Sequence, residues 1–189
     1  MFKKILFYVS SMLAVLVVSQ TVYAQDFTLM VKGEKNAHFG EENILSSSYN
    51  FGCSGGNLSP RISWSGVPKE TKSLVLTVYD KDAPTGIGWM HWVVINISPD
   101  QKELPEGISL DRSKLPQGAM QTRTDYGKSE YGGPCPPQGR KHEYIFTLTA
   151  LDIERLPEIV TEETSPAMVG YFTKAHAIGE AKTSIWYSR

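Results

Sequence analysis

Leu74-Val75-Leu76-Thr77-Val78-Tyr79-Asp80 is followed, across the break Pro84-Thr85-Gly86-Ile87-Gly88, by Trp89-Met90-His91-Trp92-Val93-Val94-Ile95-Asn96-Ile97, and these two runs decide the fold. Both are short and rich in the β-branched and aromatic side chains that suit a pleated surface. Both are also apolar on the two faces that a period of two separates, which marks strands covered from both sides. Outward from them, Thr28 to Val31, Tyr144 to Leu151 and Ser184 to Tyr187 read the same way. Gly, Pro, Asn and Ser clusters close each run: Gly33, Asn50 to Gly56, Ser65-Gly66, Ser98 to Asp100, Pro116 to Gly118 and Gly132 to Gly139. One helix is announced, with Ser165 as N-cap, Pro166 at its first position, and Met168, Phe172, Ala175 and Gly179 near one face. Many strands with one helix give a mainly antiparallel β-sandwich with one or two peripheral helices. A βαβ architecture needs a helix after nearly every strand, and the segments between strands are too rich in Gly and Pro for that.

The chain has 189 residues, is 41% hydrophobic and 21% charged, and has 19 basic against 20 acidic side chains for a net charge of -1. That composition excludes a disordered or collagenous chain. With no net positive field and no basic stripe, it also argues against nucleic acid as a partner. At the N-terminus Lys3 and Lys4 precede an apolar run from Ile5 to Val18, and Ser19 to Ala24 turns polar and ends in Val22-Tyr23-Ala24. This is the pattern of a secretory signal peptide over residues 1–24, cleaved before Gln25, leaving residues 25–189 as one domain without stable membrane insertion. A fourteen-residue run broken by Ser10 and Ser11 is short for the ~30 Å of a bilayer core. Cleavage removes two Lys and no acid, so the mature chain carries a net charge of -3. The expected location is the periplasm, and in that oxidising compartment the only two cysteines, Cys53 and Cys135, are expected to pair. Buried free thiols or a metal pair are the alternatives; two lone Cys without a CxxC spacing make zinc a poor choice.

Strand periodicity also sorts the polar residues. Asp80 shares a face with Leu74, Leu76 and Val78; His91 shares one with Val93, Ile95 and Ile97; His142 and Tyr144 share one with Phe146 and Leu148. Each polar group ends an apolar stripe, which places a site at the rim of the sandwich where strand ends meet the Gly/Pro loops. Taken singly, Asp80 also reads as a turn cap with Asp82, and either imidazole as a core ring satisfied by a backbone carbonyl. The loop Gly132-Gly133-Pro134-Cys135-Pro136-Pro137 just before His142 reads either as a structural turn or as a wall of low entropic cost to a ligand.

Ser59-Pro60-Arg61-Ile62-Ser63-Trp64-Ser65-Gly66-Val67-Pro68, Tyr79-Asp80-Lys81-Asp82-Ala83-Pro84, Trp89-Met90-His91-Trp92, and Gly132 to Pro137 with His142-Glu143-Tyr144 resemble, in order and spacing over most of residues 45–189, the phosphatidylethanolamine-binding protein family. The resemblance is to its bacterial Raf kinase inhibitor-like branch. It implies Greek-key winding of the sandwich and a small pocket for phosphate-like or other small anions. Carried across, the pocket contains Asp80, His91, His142 and Tyr144, with Gly133 and Pro134 as its loop wall and Asp82 beside it. Asp80 would orient a ring, its charge would favour cationic imidazoles, and Tyr144 would donate its hydroxyl to the anion. Three positions depart from the family pattern: Lys81 stands where Pro is usual, Glu143 where Arg is usual, and Met90 where an aromatic or His is usual.

The function expected from this reading is an exported, non-enzymatic binding protein whose pocket recognises a small anion, a phosphorylated group or a protein partner. Kinase-inhibiting relatives suggest the partner. For an exported protein any such target lies in the envelope or in a host, and a homodimer is compatible with the resemblance. The alternative is a small hydrolase with His91 or His142 as general base, weakened by the absence of a GxSxG elbow. No cofactor is implied. Two His some fifty residues apart are not a diagnostic metal spacing, so no metal is assigned.

Overall fold

The structure, a computed structural model, describes residues 26–32 and 37–189; the signal-peptide reading of residues 1–24 lies outside them. Within the described residues the chain forms eight strands and one α-helix: β1 (Thr28–Val31), β2 (Ile62–Ser65), β3 (Ser73–Asp80), β4 (Trp89–Ile97), β5 (Glu103–Leu104), β6 (Met120–Gln121), β7 (Lys141–Leu151), α1 (Pro166–His176) and β8 (Ala177–Ser188). All pairings are antiparallel, in a five-stranded sheet ordered β6-β4-β3-β7-β8 and a three-stranded sheet ordered β1-β2-β5. Within the larger sheet β3, β4 and β6 lie side by side and β7 returns beside β3, which is the Greek-key order.

The large sheet is covered on both faces, as the doubly apolar runs require. Leu74, Leu76, Val78, Trp92, Val94, Phe146 and Leu148 pack with Ile62 and Trp64 of the small sheet. Val75, Val93, Ile95 and Leu151 pack on the other face with Val169 of α1 and with Leu156 and Val160 of the segment before it. The sandwich is therefore partial: a sheet of only three short strands opposes five, and a helix with its loop covers the back. Beyond β6, loop 122–132 takes over the free edge of β4. Thr122 N donates to Val93 O, Gly132 N to His91 O and Asp125 N to Met90 O, so no open edge remains there.

Two β-bulges reset the facing of β4. Strict alternation puts His91 with Val93, Ile95 and Ile97, but the pairing of β3 with β4 slips between Val78 and Tyr79 and again between Leu74 and Leu76. His91 is the extra residue of the first slip, since Val78 opposes Trp92 and Tyr79 opposes Met90. Val93 and Ile95 keep to the helix side, whereas Ile97 joins the core beneath the small sheet and His91 turns to the Asp80 side. The second slip places Asn96 at φ 56°, and its Oδ1 accepts from the Leu156 amide.

The helix starts as its sequence dictates, with the Ser165 side chain accepting from Met168 N and Pro166 at the first turn. Its buried residues are Val169 and Thr173, one position round from the expected stripe. Ala175 is exposed and Gly179 lies in β8, because the chain passes from His176 straight into the strand.

Candidate functional site

At the rim of the large sheet, Asp80 ends β3 opposite Trp89 of β4 on one side and Tyr144 of β7 on the other. Period two along β7 then brings His142 to the same face. The four expected polar groups converge: His142 Nδ1 is 2.7 Å from Asp80 Oδ2, and His91 Nε2 is 4.0 Å from the same oxygen. All are buried, with 4% of Asp80, 3% of His91, 5% of His142 and 1% of Tyr144 exposed. They line a cavity of about 180 Å³ whose remaining walls include Phe51, Trp89, Tyr126, Pro136 and Pro137. That volume is well below the ~300 Å³ at which drug-sized pockets begin, and fits a small group rather than an acyl chain.

The bland readings of Asp80 and His91 hold alongside the convergence. Asp80 Oδ1 does accept from the Asp82 amide at 2.9 Å, capping the turn, while Oδ2 faces the imidazoles. His91 Nδ1 lies 2.7 Å from Gly132 O, and a carbonyl only accepts, so Nδ1 carries the proton. Burial pushes the His91 pKa down to about 4, against the raising effects of the Gly132 carbonyl and of Asp80. Of the one or both rings that Asp80 was expected to make cationic, His91 is not one: desolvation of an enclosed ring outweighs a carboxylate 4.0 Å away. At neutral pH this ring is uncharged and presents a bare Nε2.

The expected loop wall is shifted along the chain. Gly133 and Pro134 do not line the cavity; Cys135, Pro136 and Pro137 do. Gly133 lies behind the wall, where a Cβ would collide with the Asn43 carbonyl and the Leu45 amide; its N donates to Asn57 Oδ1 and its O accepts from Tyr126 OH. Pro134 O accepts from Leu45 N. Cys53 and Cys135 are disulfide-bonded, which fastens the wall to the segment carrying Phe51. Asp82 sits beside the cavity and accepts from the Glu143 amide at 2.8 Å.

Phe51, Trp89 and Tyr126 were not among the expected site residues. They pack edge to face, with centroids 5.3 Å apart for Trp89 and Tyr126 and 5.4 Å for Phe51 and Tyr126; Tyr126 also meets His91 at 5.3 Å. Trp89 opens the Trp-Met-His-Trp motif, and its register with Asp80 was the available signal. Phe51 and Tyr126 are lone aromatics in polar Gly/Ser loops, which carry no periodicity.

The cavity holds a buried donor with nothing to bond. Tyr144 OH has no hydrogen-bond partner among the described residues, and burial pushes its pKa well above the usual phenol range. The Trp89 Nε1–H is also unpaired; it lies near the Tyr126 hydroxyl without hydrogen-bond geometry, and burial, followed by the Asp80 charge, raises the Tyr126 pKa against the small opposing effect of the indole. Among the described residues no group of three His, Cys, Asp or Glu side chains is arranged to hold a metal ion, and no helix is long and apolar enough to cross a membrane.

Two of the three unusual positions answer each other. Lys81 Nζ lies 2.9 Å from Glu143 Oε2 on the outer surface and 5.4 Å from the centre of the Trp186 ring. This pair, which holds the Glu143 carboxyl below its ordinary pKa, stays off the cavity. Met90, the third, does not line the cavity; its N donates to Asp125 Oδ2.

Known proteins resemble this chain in sequence and fold. The chain is 48% identical over 137 residues to the UPF0098 protein YbhB of Escherichia coli, covering 72% of this chain and 85% of the relative. It is 47% identical over 151 residues to the E. coli UPF0098 protein YbcL, covering 78% and 81% respectively. The crystal structure of E. coli YbcL, described as a new member of the mammalian PEBP family, superposes with a TM-score of 0.81 at 42% identity, over 87% of this chain and 99% of that one. A putative phosphatidylethanolamine-binding protein homologue from Chlamydia trachomatis gives 0.70 at 30% identity, over 86% and 97%. The family model described as phosphatidylethanolamine-binding protein matches residues 35–188, and by that match and these relatives the chain belongs to the phosphatidylethanolamine-binding protein family.

Proposed function

We propose that this is an exported, non-enzymatic binding protein whose rim cavity takes a small oxyanion, in particular a phosphate group, free or carried by a ligand. The observation that carries the reading is the Tyr144 hydroxyl, a fully buried donor facing a cavity with no acceptor of its own. A buried unpaired donor costs about 1–3 kcal/mol, and an incoming oxygen atom removes that cost. The Trp89 indole N–H and His142 line the same space, the latter with Nδ1 spent on Asp80 and Nε2 without a hydrogen-bond partner among the described residues. Half-exposed Phe51 at the wall gives the cavity an apolar rim, and exposed Ile87 lies in the same loop as the lining residue Thr85. A phosphorylated partner, including one in kinase signalling or in a host, would bury such a rim. Lys3, Lys4 and the apolar run after them support export to the periplasm.

Catalysis by hydrolysis has less support. Thr85 Oγ1 donates to Gly88 O, Cys135 is bridged, and the Tyr144 phenol is held in its protonated form, so no hydroxyl or thiol lining the cavity is activated. The test is thermal unfolding with inorganic phosphate. At a hundredfold excess over Kd, binding adds ~2.7 kcal/mol, a rise of about 5–10 °C for a chain of this size. His142→Ala should abolish the rise. No rise in the unmutated protein refutes the reading, and ester turnover that disappears in His91→Ala puts a hydrolase in its place.

A further inference from the structure

We propose that the cavity selects oxyanions that carry a proton, the hydrogen-phosphate group of inorganic phosphate or of a phosphate monoester, and rejects fully deprotonated ones of similar size such as sulfate. This rests on the anion reading above and deepens it. Two acceptors face each other across the cavity with no proton between them. His91 is fixed by its 2.7 Å bond from Nδ1–H to Gly132 O, and since burial favours the neutral ring its Nε2 is a lone pair 4.0 Å from Asp80 Oδ2. That separation is too long for a hydrogen bond, and neither atom has a hydrogen to give.

Asp80 has no freedom to turn away. Oδ1 is held by the Asp82 amide and Oδ2 by His142 Nδ1–H. His91 is held as firmly, because Gly132 N returns a bond to its carbonyl, closing a pair of bonds between the two residues. Burial keeps the ring neutral, consistent with an acceptor at Nε2. The cavity thus offers two unpaired donors, the Tyr144 hydroxyl and the Trp89 indole N–H, and two acceptors side by side, the His91 Nε2 and the lone pair that Asp80 Oδ2 keeps beyond its bond from His142. A hydrogen-phosphate group answers both: a P–O⁻ oxygen accepts from Tyr144 and a P–OH donates into the gap between Nε2 and Oδ2. Sulfate near neutral pH has only acceptors. One of its oxygens would stand against two lone pairs in a buried site, an arrangement expected to weaken it by roughly 10- to 100-fold.

The experiment is calorimetric titration of the whole protein at about pH 6, where a phosphate monoester keeps about half of its second proton and sulfate has none, and at constant ionic strength, with sodium phosphate, phosphoethanolamine, sodium sulfate and ethanolamine. Phosphate is expected to bind at least about tenfold tighter than sulfate. Tighter binding of phosphoethanolamine than of phosphate would assign the group to a soluble phosphate monoester, and the reverse to free phosphate; both support the inference, whereas a lipid headgroup, a diester without a P–OH, should bind no better than sulfate. Phosphate and sulfate binding within about twofold of each other overturn the selectivity and leave the anion reading intact, whereas no binding of either overturns the reading itself. Ethanolamine binding as well as phosphoethanolamine shows that the ammonium fills the gap, and refutes both. Asp80→Asn puts an amide N–H₂ where an acceptor stood and should gain sulfate binding, so that the preference falls below about threefold. His91→Phe, which removes the lone pair and keeps a ring, should flatten the preference in the same way. Retention of the full preference in both folded variants refutes the roles given to these acceptors.

Discussion

Acidification from neutrality toward pH 4 is predicted to cost this protein stability in an amount traceable to one side chain. The unfolded His91 ring takes a proton near pH 6.5, whereas burial holds the folded ring down to about 4. Between those values the unfolded state binds more protons, so stability rises with pH: the His91 contribution is fully present above about 6.5 and is lost as pH falls through about 4. The interval is worth roughly 3 kcal/mol, with a steepest slope of about 1.4 kcal/mol per pH unit. The groups facing the ring are Asp80, Asp125, His142, Tyr126 and Tyr144, and of these the two carboxylates oppose the burial effect without overcoming it. Glu42, Asp111, Glu143 and Glu180 are held below their ordinary values by Lys or hydroxyl partners and also lose stability in acid. Only a difference is therefore informative. Urea unfolding of the parent and of His91→Phe across this range, subtracted, should leave the His91 slope alone, and the imidazole proton signal of His91 should titrate well below 6.5. Parallel curves, or a ring that titrates at or above about 6.5, would refute the neutral His91 on which the selectivity argument depends.

Three further outcomes follow from the same geometry. Tyr144→Phe removes a buried hydroxyl that nothing accepts, so the free protein should be unchanged or more stable by up to about 1 kcal/mol in urea unfolding while the thermal rise with phosphate shrinks. Replacing Cys53 and Cys135 together by Ser opens a bridge spanning 82 residues of sequence and should lower stability by up to about 4 kcal/mol, read from the urea midpoint. Asn96→Ala replaces a residue that tolerates positive φ by one that does so less well and takes the acceptor from Leu156 N, at an expected cost of about 2 kcal/mol by the same measurement.

Composition and local pattern reached the buried strands and stopped where tertiary pairing decides. Thr28–Val31 is legible as a short β-rich run closed by Gly33, and its alternating burial shows only in the structure. β8 was read as Ser184 to Tyr187, and its first half, Ala177 to Thr183, has almost no β-branched residues; it is a strand because β7 supplies a partner at nearly every position. β5 and β6 are two residues each and have no local signal. The site was legible where residues stand two apart, as for His142 and Tyr144, and misjudged where a bulge breaks the count, as for His91. The family likeness placed His91 correctly for a reason that alternation alone does not contain. The uncharged state of that ring was not legible, since it depends on loop 122–132 closing over the end of β4.

β7 is paired with β8 from Lys141 to Leu151 and with β3 from Tyr144 to Leu151, and it carries both His142, paired on one side, and Tyr144, paired on both. Amides in such a doubly paired strand exchange with solvent only through large openings of the protein. The donor offered by Tyr144 therefore belongs to the last part of the molecule to come apart, with the ring nitrogen of His142 two residues away. A guest would meet them already in place, with little backbone motion left to freeze, and discrimination between guests of similar size would fall to the placement of protons.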